Sequence, residues 1–471
     1  MPAYQIQDFK QGMDLRKTYV TAPAGSLRLL RNAFITAGAE IEKRSIFQQW
    51  VNLANYSGTS YGLLARNGLT YVVYLGPSAI SVPPNQNTLG EIWLPLPGGL
   101  QVYRLADWDL FNGQFYIVLQ ATTGLYYHFY NQVLVTDTMA TASAVRTYGS
   151  KMYGVDNRLL RFSAINDPTK WTPPTGTTND GSGYIDLSSQ DADSTNLVGL
   201  EVYTNQMAIF SQLSTQFWSL DPDPSQNQFR QLLRATGLMA QNGLTQFGND
   251  VMYLSSYGVR SLRVQNVSLT AGTTDVGTPV DELIRQLLIA NGAGWFANAR
   301  MLIQPRSWRL FLVLPNQVLV LSTFQEPAIT AWATFDAPFQ FTEACVAEPY
   351  IMLRGSDNWI YRYGGDLLQT YDSTEAEVIT PALACDSPSR TKLFHGFDVG
   401  AEGTWTLSVG CDPNNQATEE PVATFTGATY VNPEMTMPEQ STHISLRFRT
   451  TDPTRATLGQ VMLMYEDGEQ L

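Results

Sequence analysis

The sequence predicts an all-β protein whose body is an irregular β-propeller of six to seven blades, with an N-terminal arm and a C-terminal β-sandwich. Three observations predict it. Aromatic residues make up 11% of the chain and are accompanied by 36 Gly and 25 Pro, a mixture that favours pleated surfaces joined by tight turns over long helices. Short apolar runs come in pairs, each divided by a compact polar or glycine turn, as in GLLARNGLTYVVYLG, NGQFYIVLQATTGLYYHFY and KMYGVDNRLLRFS. The pairs also recur, starting near Tyr61, Phe111, Lys151, Met207, Asp250, Trp308 and Tyr350.

A chain of 471 residues is too long for one ordinary core, so it holds two or three folding units or one large repeat architecture. In residues 1–44, Gly12, Pro23, Gly25 and Gly38 interrupt what few apolar runs there are. This part reads as an extended arm with short strands, of the kind that packs on a neighbour. Residues 45–380 carry the paired runs of the propeller. Propeller repeats span roughly 40 to 45 residues, and the uneven spacing here leaves two stacked sandwiches as the alternative. Within this span TPVDELIRQLLIANG predicts a short helix near 279–291, with Thr278 as N-cap, Pro279 in the first turn, Asp281 and Glu282 at the positive end and Gly292 as stop. Val280, Leu283, Ile284, Leu287 and Leu288 fall at helical spacing, a face for the sheet beneath or for another subunit. Residues 381–471 alternate: Trp405, Leu407 and Val409 against Thr404, Thr406 and Ser408, then Ile444, Leu446 and Phe448 against His443, Ser445, Arg447 and Arg449. Half-buried strands of a sandwich alternate in this way.

Lys and Arg number 29 against 42 Asp and Glu, a net charge of -13. That balance opposes stable binding to phosphate backbones, yet an acidic wall would let DNA slide past without sticking. Cys345, Cys385 and Cys411 are widely spaced and form no Cys-x-x-Cys, which fits a reducing compartment. The opening MPAYQIQDFKQG has no leader pattern, and no run of about eighteen apolar residues occurs, so the chain reads as soluble, without a membrane span and made in a cytoplasm.

A search for chemistry finds little. Of the three histidines, His128 lies in the aromatic strand LYYHFY, His443 lies on a polar strand face, and neither these nor His395 adjoins a nucleophile elbow. Zinc spacing is missing. Paired carboxylates that would cut a glycosidic bond could come from Asp107 and Asp109, or from Asp186, Asp191 and Asp193 in YIDLSSQDADST. Asp107 and Asp109 share one strand face and read as a solvated edge, and the Asp-rich loop lacks the spacing of a calcium loop. GSDNWIYRYG does not match the Asp box of sialidase-like propellers, and TPPTGTTNDGSG lacks the Lys-Ser or Lys-Thr of a phosphate cradle. Trp359, Tyr361 and Tyr363 share a face that fills a core more readily than it stacks sugars or bases. No catalytic, cofactor-binding or metal-ligating residue is assigned, no cofactor is expected, and the chain reads as a non-enzyme.

Three segments carry a family resemblance. The opening GMDLRKTYVTAPAGSLRLLRNAFITAGAEIEKR, with Asn32, Gly38, Lys43 and Arg44, resembles the start of the tail nozzle (stabilisation or tail tubular) proteins of short-tailed bacteriophages. RFSAINDPTKWT, with Phe162, Ser163, Asp167, Pro168 and Trp171, is similar to a blade strand and its Pro-turn-Trp in that family, and NGLTQFGNDVMYLSSYGVRSL, with Gly243, Gly248 and Gly258, resembles a blade start. The resemblance implies a homohexameric ring in the virion tail, assembled in the host cytoplasm beneath a portal and adaptor ring. Such a ring continues the DNA channel, retains and conducts DNA without reading its sequence, and docks tail fibres, spikes or a plug. The competing expectation is a tail propeller that degrades or binds glycans. Apart from any family, Asp167-Pro168 predicts a turn and Trp171 an apolar anchor for it.

Overall fold

In the computed structural model, which describes residues 3–55, 59–75, 89–95, 101–175, 179–191, 196–268, 275–412, 415, 419–430 and 440–470, the paired runs become seven blades, six of them separate three- or four-stranded sheets and one the end of an eleven-stranded sheet. Blade 1 holds Ser60–Arg66, Leu69–Leu75 and Leu89–Leu94, and blade 2 runs from Val102–Phe111 through Gln114–Ala121 and Tyr126–Tyr130 to Val133–Leu134. Blade 3 spans Ala144–Tyr148 to Gly183–Asp186, and blade 4 spans Leu197–Tyr203 to Gln228–Arg234. Blade 5 has three strands, Leu244–Phe247, Asp250–Ser255 and Gly258–Ser261, while blade 6 runs from Arg300–Gln304 to Ile329–Asp336. Blade 7 is Phe341–Ala347, Tyr350–Gly355 and Trp359–Tyr363, and its fourth strand is Phe47–Asn52, from the other side of the propeller in sequence. The first strands of the seven blades neighbour one another in a closed circuit, blade 7 meeting blade 1. The body is therefore a seven-bladed propeller, and each of the seven predicted starts falls in a different blade.

Blade stacking explains the unbroken apolar runs. In a propeller both faces of a blade are covered, so the two sets of side chains that alternate along a strand enter different layers. From Gln114–Ala121, Phe115, Ile117 and Leu119 join Leu64, Val73 and Leu105 toward blade 1. Tyr116 and Val118 join Val145, Met152 and Trp171 toward blade 3. Met207 and Ile209 likewise face blade 3, whereas Ala208 and Phe210 face blade 5. Turn chemistry sets the register. Asn67-Gly68 and Asn112-Gly113 both have positive φ at each residue, the geometry of two-residue hairpins with type I′ turns.

The expected arm is corrected by the pairing. Ala3–Ile6 lies along Thr457–Gln470, and Ala33–Ile35 and Ile41–Lys43 extend the same sheet, so residues before 45 are built into the sandwich of their own chain. Leu29–Arg31 goes further. It pairs in parallel with the outer strand of blade 6 at Thr334 and antiparallel with Ala376–Ile379, joining propeller and sandwich in one continuous sheet. The sandwich thus takes in strand residues before the predicted boundary at 381. Its inner face is the predicted one: Trp405, Leu407, Ile444, Leu446 and Phe448 are buried.

Asn32, Lys43 and Arg44 form the junction. Asn32, at φ 54°, donates from Nδ2 to Asp336 Oδ2 (3.0 Å) and Glu375 O (2.8 Å), while its Oδ1 accepts from the Asp336 backbone N–H (2.8 Å) and Arg44 Nε (3.0 Å). Arg44 is buried and pairs with Asp372 at 3.4 Å. Lys43 Nζ, also buried, donates to the carbonyls of Asp372 and Asp452, both at 2.6 Å. In the nearby turn the left-handed residue is Ala39 (φ 62°).

The predicted helix is Asp281–Asn291, preceded by a 3-10 turn at Thr278–Val280. Thr278 does not cap it: its hydroxyl donates to Asp275 O, and Val280 stands at the cap. Val280 and Ile284 are buried in the main core, and Leu283, Leu287 and Leu288 pack against it. Gly258, at φ 123°, gives the Asp281 carboxylate room, since a Cβ there would meet Asp281 Oδ1 at 2.0 Å. Arg260 clamps that carboxylate with two bonds of 2.7 and 2.8 Å. A second helix, Leu262–Ser268, had no sequence signal. Among the described residues no helix is long and apolar enough to cross a membrane.

Candidate functional site

Asp107 and Asp109, the strongest sequence candidates for acid chemistry, lie on the first strand of blade 2 and bond to the first strand of blade 3. Asp107 Oδ2 accepts from the Val145 N–H and Arg146 Nη1, both at 2.9 Å, and Asp109 Oδ2 accepts from the Thr147 N–H at 2.6 Å. They form no solvated edge. They supply acceptors for backbone donors that no neighbouring strand pairs. Arg146 reaches on to Glu201 of blade 4 at 3.0 Å, so charged side chains lace three successive inner strands. Burial raises the Asp109 carboxyl above the usual carboxylate range, against the pull of Arg146 and the backbone donors.

At the starts of the inner strands the loop before blade 5 bridges the axis. Gln241 Nε2 donates to Ala106 O of blade 2 (3.2 Å) and to Ser143 O beside blade 3 (2.7 Å), and Asn242 Nδ2 donates to Ala106 O (3.2 Å). Beside this bridge, between blades 7, 1 and 2, opens a cavity of about 400 Å³ lined by Ser60, Tyr61, Arg104, Glu343, Arg354 and Ser356 among others. Glu343 and Arg354 are direct cross-strand partners. Arg300, first residue of the inner strand of blade 6, pairs with Glu343 at 2.5 Å. Burial lifts the Glu343 carboxyl above its ordinary value, and Arg300, Arg354 and Arg104 pull it back.

A larger cleft of about 840 Å³ lies between blades 2 and 3, lined by Tyr126, Tyr127, Asp137, Asp156 and Arg161 among others. Its acids are engaged. Asp156 Oδ2 accepts from Thr141 Oγ1 (2.6 Å) and Arg161 Nε (2.8 Å). Asp137 accepts from the backbone of Met139, Trp171 and Thr172 and from the Thr172 hydroxyl. Burial works against the ionised Asp137, but these bonds hold its carboxyl below the usual range.

The remaining sequence candidates are dispersed. His128 is buried between the Tyr116 hydroxyl (2.9 Å from Nδ1) and Ala142 O (2.9 Å from Nε2), and burial pushes its imidazole down to about 4. His395 lies 3.5 Å from Glu466, and His443 is bonded to the neighbouring Thr442 hydroxyl. Asp186 caps a 3-10 turn through the Ser188 N–H, and Asp191, buried, accepts from Ser214 Oγ at 2.6 Å. Asp193 lies outside the described residues. Tyr361 stacks on Phe339 and Tyr363 packs among Phe47, Phe311 and Phe335, so that aromatic face fills the core. Trp171 is the anchor the sequence suggested: it is buried against Tyr116 and His128, with Nε1 donating to Pro168 O at 2.9 Å, while Asp167 caps the turn at the Thr169 N–H. Among the described residues the three cysteines form no disulfide. Sequence reading missed the Arg104, Arg300, Glu343 and Arg354 cluster.

No family model matches the chain and no curated protein does. Solved structures with a distant likeness include the computationally designed Ika8 protein (10% identity, 75% of this chain and 99% of that one, TM-score 0.33). BamB from Moraxella catarrhalis is another, at 9% identity, 68% and 98% coverage and TM-score 0.32. The extracellular domain of the hybrid two-component system BT4673 from B. thetaiotaomicron aligns at 8% identity over 88% of this chain and 61% of that one, with TM-score 0.41. The propeller assignment rests on the strand circuit of the chain itself.

Proposed function

We propose that the protein is a structural subunit that assembles with copies of itself into a ring, hexameric in the nozzle-like reading, in the tail of a short-tailed phage virion. The observation that carries this reading is how the polar side chains are used. Asp107, Asp109, Asp137 and Asp156, which a catalyst would need free, are bonded to neighbouring strands, loops and side chains. The continuous sheet from blade 6 into the sandwich makes a stiff body suited to bearing load. In such a ring the DNA lumen runs between subunits, because Gln241 and Asn242 bridge the propeller's own axis. The net charge of -13 keeps passing DNA from adhering. The outer faces serve the adaptor ring and the fibre, spike or plug proteins.

Mass photometry and negative-stain imaging of the full chain, alone and with an adaptor ring, test the proposal. A closed ring is expected. A monomer under both conditions overturns it.

A further inference from the structure

We propose that the cavity at the mouth of the propeller is a binding site for a small dianionic oxyanion, of the phosphate or sulfate class, held between Arg104 and Arg354. Three guanidinium groups from blades 2, 6 and 7 surround one carboxylate, that of Glu343, which feels Arg300, Arg354 and Arg104 together. Two positive charges therefore stand unbalanced inside a protein that is acidic as a whole.

The three arginines are not equally committed. Arg300 is spent on Glu343. Arg104 uses Nε on Gln120 Oε1 at 2.9 Å, and among the described residues its terminal nitrogens have no hydrogen-bond partner. Among the described residues Arg354 has neither an ion pair nor a side-chain hydrogen bond, and although the residue is half-buried its Nε is fully so. A guanidinium partly withdrawn from water without a bonded partner is costly, and that cost falls when an anion completes the set. The planar fork of a guanidinium suits two oxygens of one anion, and two forks facing one cavity suit a group of charge -2. The cavity, about 400 Å³, accommodates an ion of that size together with bridging water, and Ser60 and Ser356 add hydroxyls to its wall.

The proposal is independent of ring assembly. Thermal unfolding and titration calorimetry of the full chain with inorganic phosphate and with sulfate, against chloride at equal ionic strength, test it. Both dianions are expected to raise the melting temperature and release heat at one site, and chloride to do neither. Arg354→Met should abolish both responses. Arg354→Lys, which keeps the charge but loses the fork, should weaken binding about tenfold, the worth of roughly one charge-assisted hydrogen bond. Circular dichroism of each variant confirms that it is folded, and the lysine variant decides the matter if the methionine variant is not. Equal responses to chloride, no heat with either dianion, or undiminished binding in a folded Arg354→Lys variant would each overturn the proposal.

Discussion

Blades 2 to 4 and the junction of blade 6 with the sandwich solve the same problem in opposite ways. Between blades 2, 3 and 4 no backbone ladder crosses, and the contacts are side chains: Asp107 and Asp109 on bare N–H groups, Arg146 between two carboxylates, and separate apolar layers. At the junction a backbone ladder does cross, through Leu29–Arg31, and Asn32, Lys43 and Arg44 fix it with buried polar bonds. A side-chain seam can lose one member and stay closed. The ladder through Leu29–Arg31 is three residues long, and Gly12–Met13 adds only one further contact with blade 6, at Trp332, so this seam has little to spare.

The largest effect is expected where the two seams differ most. Arg44→Ala leaves Asn32 Oδ1 and Asp372 short of a buried cationic partner and should cost about 3–5 kcal/mol. Calorimetry should show propeller and sandwich melting separately; one unaltered transition would refute the idea that this segment couples them. Trp171→Ala, on the side-chain seam, should cost a similar 3–5 kcal/mol through the cavity it opens, yet leave a single transition.

His128 gives a smaller, pH-dependent effect. Its folded value of about 4 lies below the ordinary 6.5 because burial disfavours the imidazolium. The stabilisation is complete above pH 6.5 and is lost as pH falls toward 4, by roughly 3 kcal/mol in all. Denaturant melts at pH 7 and pH 4.5 on wild type and His128→Phe measure it, and an equal acid loss in both proteins would assign the loss elsewhere. Asp107→Asn keeps an acceptor for the Val145 N–H but removes the charge opposite Arg146, and should cost about 1–3 kcal/mol with the ring of blades intact. If glycan cleavage were found in the wild type and vanished in this variant, the structural role assigned to Asp107 would have to be abandoned. Lys151→Met has the opposite sign and carries the smallest change, because the ammonium lies 4.6 Å from the Phe162 ring centroid and that contact offsets part of its burial cost. The Lys151 Nζ is buried without a hydrogen-bond partner among the described residues, and burial lowers the amine to about 8. The folded protein disfavours the charge that the unfolded chain carries up to about pH 10.4, so the variant should melt at a slightly higher temperature at pH 7, and that gain should shrink as pH rises past 8.

What could be read in the sequence followed from how near in the chain the partners lie. Asn67-Gly68 between two apolar runs announces its hairpin within a dozen residues, and all seven such pairs marked a blade. The alternation at Trp405, Leu407 and Val409 was readable for the same reason. The N-terminal strands were not, because Ala3–Ile6 and Leu29–Arg31 are only four and three residues long and find partners more than 300 positions away. Asp107 and Asp109 were correctly placed on one strand face, but the stagger that sets them against Val145 and Thr147 belongs to blade packing. The anion site was least legible of all, since Arg104, Arg300, Glu343 and Arg354 meet only when the ring has closed.

That closure has a cost in time. Phe47–Asn52 is the outer strand of blade 7, whose other strands end at Tyr363. As a ribosome makes the chain, this early segment stays without its hydrogen-bonding partner until some three hundred further residues have emerged. Long-range pairings of this kind slow folding and expose open strand edges meanwhile. The chain therefore passes through an open-ringed stage, its strand edges bare, before the propeller closes.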